Sequence, residues 1–133
     1  MSSFRITGKQ KLSGEIVPQG AKNEALQVLC AVLLTPEEVI INNIPDILDI
    51  RNLISLLADM GVAVKRLSAD SYSFKAETID QEYFHTREFY TKSASLRGSV
   101  MIVGPLVARF GKAMIPKPGG DKIGRRRLDT HFL

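Results

Sequence analysis

Between Lys112 and Arg127 three lysines and three arginines face a single acid, Asp121, a local charge of +5 in a chain whose net charge is +4. Positive charge is therefore gathered in one stretch, and the remainder of the chain is close to neutral. The stretch runs Pro116-Lys117-Pro118-Gly119-Gly120-Asp121-Lys122-Ile123-Gly124-Arg125-Arg126-Arg127-Leu128-Asp129-Thr130-His131. Its prolines exclude regular structure and predict a tight, locally rigid loop. Gly119 and Gly120 are free to take positive φ, which lets successive backbone N–H groups converge on an anion. Cations beside such a backbone suit a phosphate-bearing small molecule. Alone, Arg125-Arg126-Arg127 would also suit nucleic acid. The nearest aromatics are Phe110 and Phe132, however, tryptophan is absent, and no nucleic-acid motif surrounds the run, so a nucleic-acid partner is not expected.

Two further cations stand where helices should begin. A shift of 75 residues lays Lys22–Leu34 on Arg97–Arg109 and Val39–Ile41 on Met114–Pro116, while a shift of 80 lays Leu48-Asp49 on Leu128-Asp129. The chain reads as an internal repeat whose second copy carries five extra residues in the Gly119-Gly120 loop. Lys22 and Arg97 are equivalent in it. A cation at a helix N-terminus opposes the macrodipole, so both are better explained by an anion held between them and the first amides of the helix.

The elements that must position these groups follow from pattern. Phe4–Val17 alternates loosely around Gly8 and Gly14 and predicts short strands with a turn. Ala25–Leu34, apolar almost throughout, predicts a helix buried on most sides, and Val39–Ile41 a buried strand. Asp46 is the expected N-cap of a helix with Ile50, Leu53, Ile54 and Leu57 on its inner stripe and Gly61 at its end. Val62–Leu67 and Tyr72–Ala76 predict a strand pair joined by residues 68–71. Thr78–Thr91 is expected to be a polar connection. Ser93–Arg109 is expected to be a helix kinked or divided at Pro105, and Lys112–Ile115 a strand.

With 133 residues, 44% apolar and 24% charged, the chain has the composition of one ordinary globular domain. One cysteine excludes an internal disulfide and fits a reducing, cytoplasmic setting. Cys30 falls on an apolar helix stripe and is expected in the core. No signal peptide is legible, and the longest apolar run, Val100–Ala108, is too short to span a membrane. No Cys/His spacing suggests a metal site. His85 is expected to be solvated, Lys65-Arg66 to be an exposed strand end, and His131 to be either structural or near a nucleotide.

Four motifs at matching spacing resemble the UDP-N-acetylglucosamine 1-carboxyvinyltransferase family of enolpyruvyl transferases. They are Gly20-Ala21-Lys22-Asn23-Glu24-Ala25-Leu26, Gly104-Pro105-Leu106-Val107-Ala108-Arg109-Phe110-Gly111, Pro118-Gly119-Gly120-x-x-Ile123-Gly124-x-Arg126, and Asp129-x-His131. The resemblance implies an α/β (α+β) fold of inside-out βαβαββ units, with residues 1–21 contributing to a second domain and 22–133 an incomplete first domain. It implies enolpyruvyl transfer from phosphoenolpyruvate to the 3-hydroxyl of UDP-N-acetylglucosamine, with those two small molecules and the rest of its own chain as partners and no cofactor. Lys22 resembles the lysine that contacts phosphoenolpyruvate, Asn23 its neighbour at the nucleotide sugar, and Arg97 and Arg126 the arginines that hold phosphate and carboxylate. Arg126, Arg127, Leu128, Asp129 and Thr130 resemble the uracil strip, where Asp129 would accept from the base. Asp121, like Lys22, is implied to be catalytic, standing where most members have a cysteine and some an aspartate. Arg127 stands where many have proline. The family's aspartate base for the sugar hydroxyl is expected beyond Leu133, so this chain alone is expected to be an inactive fragment. The sibling family that acts on shikimate 3-phosphate would be expected to show Lys-Ser in place of Lys22-Asn23.

Overall fold

The computed structural model describes residues 3–117 and 119. These comprise helices α1 (Lys22–Ala31), α2 (Leu48–Asp59), α3 (Arg87–Ser95) and α4 (Val103–Phe110), and strands β1 (Glu38–Ile41), β2 (Ala63–Arg66) and β3 (Tyr72–Lys75). Short 3₁₀ segments follow α1 (Val32–Leu34) and precede α3 (Glu82–His85) and α4 (Arg97–Ile102).

The α2 stripe forms as its spacing requires. Ile50, Leu53 and Leu57 are buried together with Leu56, while Ile54 is half-buried. Its N-cap is Ile47, not Asp46. The Asp46 carboxylate instead accepts from Arg51 Nε at 2.5 Å, so the strong partner one turn on wins over the helix amides. Gly61 ends the element with a φ of 100°, a conformation costly for any residue with a Cβ.

β2 and β3 form the expected hairpin, in which Arg66 Nε and Nη2 donate to the carbonyls of Ser68 and Ala69 at 2.9 and 2.8 Å. β3 lies between β1 and β2, antiparallel to both, with Phe74 opposite Val39 on one side and Val64 on the other. β1 and β2 therefore run parallel and are joined through α2. The order α1-β1-α2-β2-β3 is that of the last five elements of a βαβαββ unit, in a mixed α/β arrangement. Phe74 packs inward on a core of Leu29, Leu33, Leu53, Leu57, Ile102 and Leu106, so the helices occupy the inside and the sheet lies over them.

Several expectations are corrected. Residues 3–19 form no strand, and Phe4, Ile6, Leu12 and Ile16 are 89% exposed or more. An alternating segment becomes a strand only when it pairs with an edge, and this one pairs with none of the described strands. Lys112–Ile115 is not a strand for the same reason. β1 is an edge strand, half-buried rather than buried, with Ile40 exposed. α1 buries Ala25, Leu29 and Cys30 but leaves Val28 exposed.

The polar connection expected at Thr78–Thr91 is largely helical. Thr86 Oγ1 accepts from Phe89 N at 3.1 Å and caps α3, while the rings of Tyr83 and Phe84 meet Phe89 edge-on. Lys92 bridges Glu88, one turn back, and Asp59 at the end of α2, at 2.8 and 2.5 Å. The helix expected over Ser93–Arg109 is divided. Pro105 has no N–H, and its ring excludes the carbonyl four residues back. The chain therefore turns as 3₁₀ to Ile102 and restarts as α4, with Pro105 in the first turn, where no N–H is needed.

Candidate functional site

Lys22 is the first residue of α1, and the backbone just before it is pinned. At Gly20 a methyl group would overlap the carbonyl oxygen of Asn43, which itself has a φ of 58° in the loop after β1. Only glycine allows the two segments to cross this closely. Ala21 caps α1 without a side-chain bond, and the first helical bond is Ala25 N to Ala21 O at 3.0 Å. The amides of Lys22, Asn23 and Glu24 therefore have no intrahelical acceptor. Asn23 is exposed beside them. Lys22 Nζ forms an ion pair with Asp49 Oδ2 in the first turn of α2, both side chains being part-exposed at 46% and 41%.

Arg97 opens the 3₁₀ segment before α4 and is half-buried. Here too the preceding backbone is pinned, because a methyl group at Gly119 would overlap the carbonyl oxygen of Ala94. Ser99 Oγ lies 2.8 and 2.7 Å from the carbonyls of Ser93 and Leu96 and braces the turn on either side of Arg97. The next residue, Gly98, lies against Leu26 of α1, where a Cβ would come within 3.0 Å of that side chain. Leu26 stands one turn beyond Lys22. The elements that begin with the two cations are thus packed directly against each other.

The two close crossings, Gly20 on Asn43 and Gly119 on Ala94, fall at equivalent places in the internal repeat. In each, the segment just before the first helix of a copy meets the segment following its strand position. The glycine lies on the leading segment in the first copy and on the trailing segment in the second. The crossing also carries the entrance of the basic loop to the turn that presents Arg97. Asp121, Arg126, Arg127, Leu128, Asp129 and Thr130, with Pro118, Gly120 and His131, lie outside the described residues.

Asp49 was not legible as a partner of Lys22. An acid in the first turn of a helix reads as a dipole complement, and nothing in its spacing from Lys22 joins the two. Cys30 is 1% exposed, and burial pushes its thiol up to about 12, so it offers no nucleophile. His85 and Lys65-Arg66 are exposed. Among the described residues no three His, Cys, Asp or Glu side chains gather as metal ligands, and no helix is long and apolar enough to cross a membrane. The arrangement places a cation at each of two pinned turns, one of them beside unpaired amides, a setting that suits an anion.

A sequence model of the family described as EPSP synthase (3-phosphoshikimate 1-carboxyvinyltransferase) matches residues 6–132. Over all 133 residues the chain is 67% identical to a UDP-N-acetylglucosamine 1-carboxyvinyltransferase of Bacteroides fragilis, 65% to one of Bacteroides thetaiotaomicron and 58% to one of Porphyromonas gingivalis. It spans 31% of the length of each of these curated relatives. Among solved structures, the enolpyruvyl transferase NikO from Streptomyces tendae superposes with a TM-score of 0.59 at 23% identity, covering 78% of this chain and 23% of that one, a likeness of fold.

Proposed function

Because the chain belongs to the EPSP synthase family of enolpyruvyl transferases, we propose that the protein it represents transfers the enolpyruvyl group of phosphoenolpyruvate to the 3-hydroxyl of UDP-N-acetylglucosamine and releases phosphate. The observation that carries this reading is the 58–67% identity, along the whole chain, with relatives bearing that activity's name. Such a protein works in the cytoplasm at the first committed step of peptidoglycan synthesis, and so serves cell-wall growth and division.

The roles proposed are those that the family resemblance implies. Lys22, Arg97 and Arg126 bind the phosphate and carboxylate of phosphoenolpyruvate. Asn23 holds the nucleotide sugar, and Arg126, Arg127, Leu128, Asp129 and Thr130 line the uracil. Protonation of the methylene carbon by Asp121 makes the neighbouring carbon electrophilic toward the sugar hydroxyl, whose proton passes to a base in the remainder of the chain. Loss of phosphate and of a methyl proton then restores the double bond. Residues 1–21 belong to a second domain, which fits an apolar alternation that meets no partner among the described residues. Positioning two substrates between domains is worth ~7–11 kcal/mol of the barrier, so these 133 residues alone should not turn over.

Phosphate release by the full-length enzyme, followed with each acceptor in turn, tests the reading. Release with UDP-N-acetylglucosamine and none with shikimate 3-phosphate is expected. The reverse preference would assign the protein to the sibling reaction named by the family description. Release by the 133-residue chain above a blank would refute the two-domain requirement. Asp121→Asn should lose most turnover while still binding nucleotide, and full activity there would remove Asp121 from the proton transfer.

A further inference from the structure

We propose that Asp49 is a positioning residue for Lys22, holding its ammonium at the mouth of α1 so that the three-carbon substrate meets a lysine already in place. The inference rests on the reading of Lys22 as an anion ligand given above. Three observations carry it. Lys22 is the first residue of α1 and Asp49 lies in the first turn of α2, so the ion pair joins the N-terminal ends of two helices in contact. The macrodipole of α2 favours the charge on Asp49, whereas that of α1 disfavours the charge on Lys22. Asp49 therefore supplies the attraction that keeps the ammonium at a helix end that would otherwise repel it. Finally, the segment before Lys22 is pinned at Gly20, which fixes the backbone but leaves the flexible four-carbon stem free unless something grips its end.

An ammonium has three donors, and a monodentate carboxylate leaves two for the substrate. A purely structural pair would predict little of interest, since an ion pair with both partners about two-fifths exposed contributes little to stability. That weakness makes the kinetic readout informative.

The test uses the full-length enzyme with Asp49→Ala, Asp49→Ser, Asp49→Asn, Lys22→Ala and the double variant Lys22→Ala/Asp49→Ala. Asp49→Ala should raise KM for phosphoenolpyruvate about tenfold, leaving KM for UDP-N-acetylglucosamine and the melting temperature nearly unchanged. Asp49→Asn, whose amide oxygen still accepts from Nζ but carries no charge, should recover only part of that loss. The double variant should match Lys22→Ala alone, because Asp49 acts only through Lys22. Asp49→Ser is too short to reach Nζ and should repeat the alanine result if the alanine variant does not fold. An unchanged or lowered KM for phosphoenolpyruvate in Asp49→Ala or Asp49→Ser, or a further loss on the Lys22→Ala background, overturns the proposal. Normal kinetics in Lys22→Ala overturns both it and the reading of Lys22. A defective Lys22→Ala beside a normal Asp49→Ala overturns this proposal alone.

Discussion

The two copies of the internal repeat solve one problem with different materials. In the first, α1 runs unbroken from Lys22 to Ala31, and the exposed lysine is gripped by Asp49. In the second, the equivalent stretch is a 3₁₀ segment followed by α4, and half-buried Arg97 stands in a turn braced by Ser99. The residue equivalent to Cys30 is Pro105, and that exchange accounts for the break. What the copies share is the backbone crossing just before each cation, made possible by Gly20 in one and Gly119 in the other. The arrangement retained is thus the placement of a positive charge on a pinned turn, while helix type and partner differ.

The sharpest way to break the comparison is to remove each charge. Lys22→Ala and Arg97→Ala in the full-length enzyme should each lower kcat/KM by roughly 10²–10³-fold, the scale for losing one preorganised group that stabilises developing charge. The melting temperature of Lys22→Ala should stay nearly unchanged. Arg97→Lys should recover little, because an ammonium cannot reproduce the planar two-pronged contact of a guanidinium. A large loss of melting temperature with near-normal kinetics at either position would make that residue structural and the copies unlike in function.

A smaller effect is expected from the crossings. Gly20→Ala and Gly119→Ala each place a methyl group against a backbone carbonyl that cannot rotate away, so the segments must part. Overpacking of this kind costs ~1–3 kcal/mol, and the next cation moves with the backbone. Both variants should lose stability in denaturant titrations and activity in steady-state assays. A silent Gly119→Ala beside a damaging Gly20→Ala would confine the crossing to the first copy.

How far these features were legible depends on whether their cause is local. The α2 stripe, the β2–β3 hairpin and the burial of Cys30 follow from periodicity and turn chemistry within a dozen residues, and all three appear as expected. The positions of Lys22 and Arg97 at the starts of helical segments were legible as well. The partner of Lys22 and the carbonyls facing Gly20 and Gly119 were not, because each is a contact between segments far apart in sequence. α3 was missed although its signals were present: Thr86 as cap, and Glu88 and Lys92 at pair spacing. Its low apolar content hid how thoroughly Tyr83 and Phe89 are buried. The alternating residues at Phe4–Val17 erred the other way, since alternation states what a strand would bury and not whether the segment meets an edge to pair with.

Arg109 joins the copies, and removing it should act on stability. From the last turn of α4 its Nη1 donates to the carbonyls of Leu33 and Ala76 at 3.2 and 2.6 Å and lies 3.4 Å from that of Thr35, while Nη2 donates to that of Glu77 at 3.3 Å. One guanidinium thus satisfies the end of the first copy's helix and the end of β3. Bonds to a charged group are worth ~1.5–3 kcal/mol each when shielded; with the side chain part-exposed, Arg109→Ala should cost about 2 kcal/mol in all. Arg109→Lys should recover part of this, as one point charge reaches fewer carbonyls. Catalytic constants should be unaffected at temperatures where the variant remains folded. Unchanged stability in Arg109→Ala would mean that the copies are held together without this joint.

The smallest effect concerns the Cys30–Pro105 exchange, and it is seen only at high pH. Burial raises the Cys30 thiol from an ordinary value of 9.0 to about 12, because its thiolate would be stranded among apolar side chains. At pH 8 only ~10⁻⁴ of the thiol is ionised, and the sulfur is covered. Iodoacetamide should therefore leave the peptide carrying Cys30 unmodified in the folded protein and alkylate it once in denaturant. The same burial has a linkage consequence of fixed sign. The unfolded chain loses its thiol proton near pH 9, whereas the folded chain keeps it to about 12. The stabilisation from a neutral Cys30 is therefore complete below pH 9 and is lost progressively as pH rises toward 12. Cys30→Ala removes that titration. The difference in unfolding free energy between the two proteins should be flat from pH 6 to 8.5 and then drift in favour of the alanine variant, with a slope approaching one proton. A flat difference throughout, or alkylation of the folded protein at pH 8, would mean that α1 opens around Cys30. The unbroken helix of the first copy would then be no tighter than the divided one in the second.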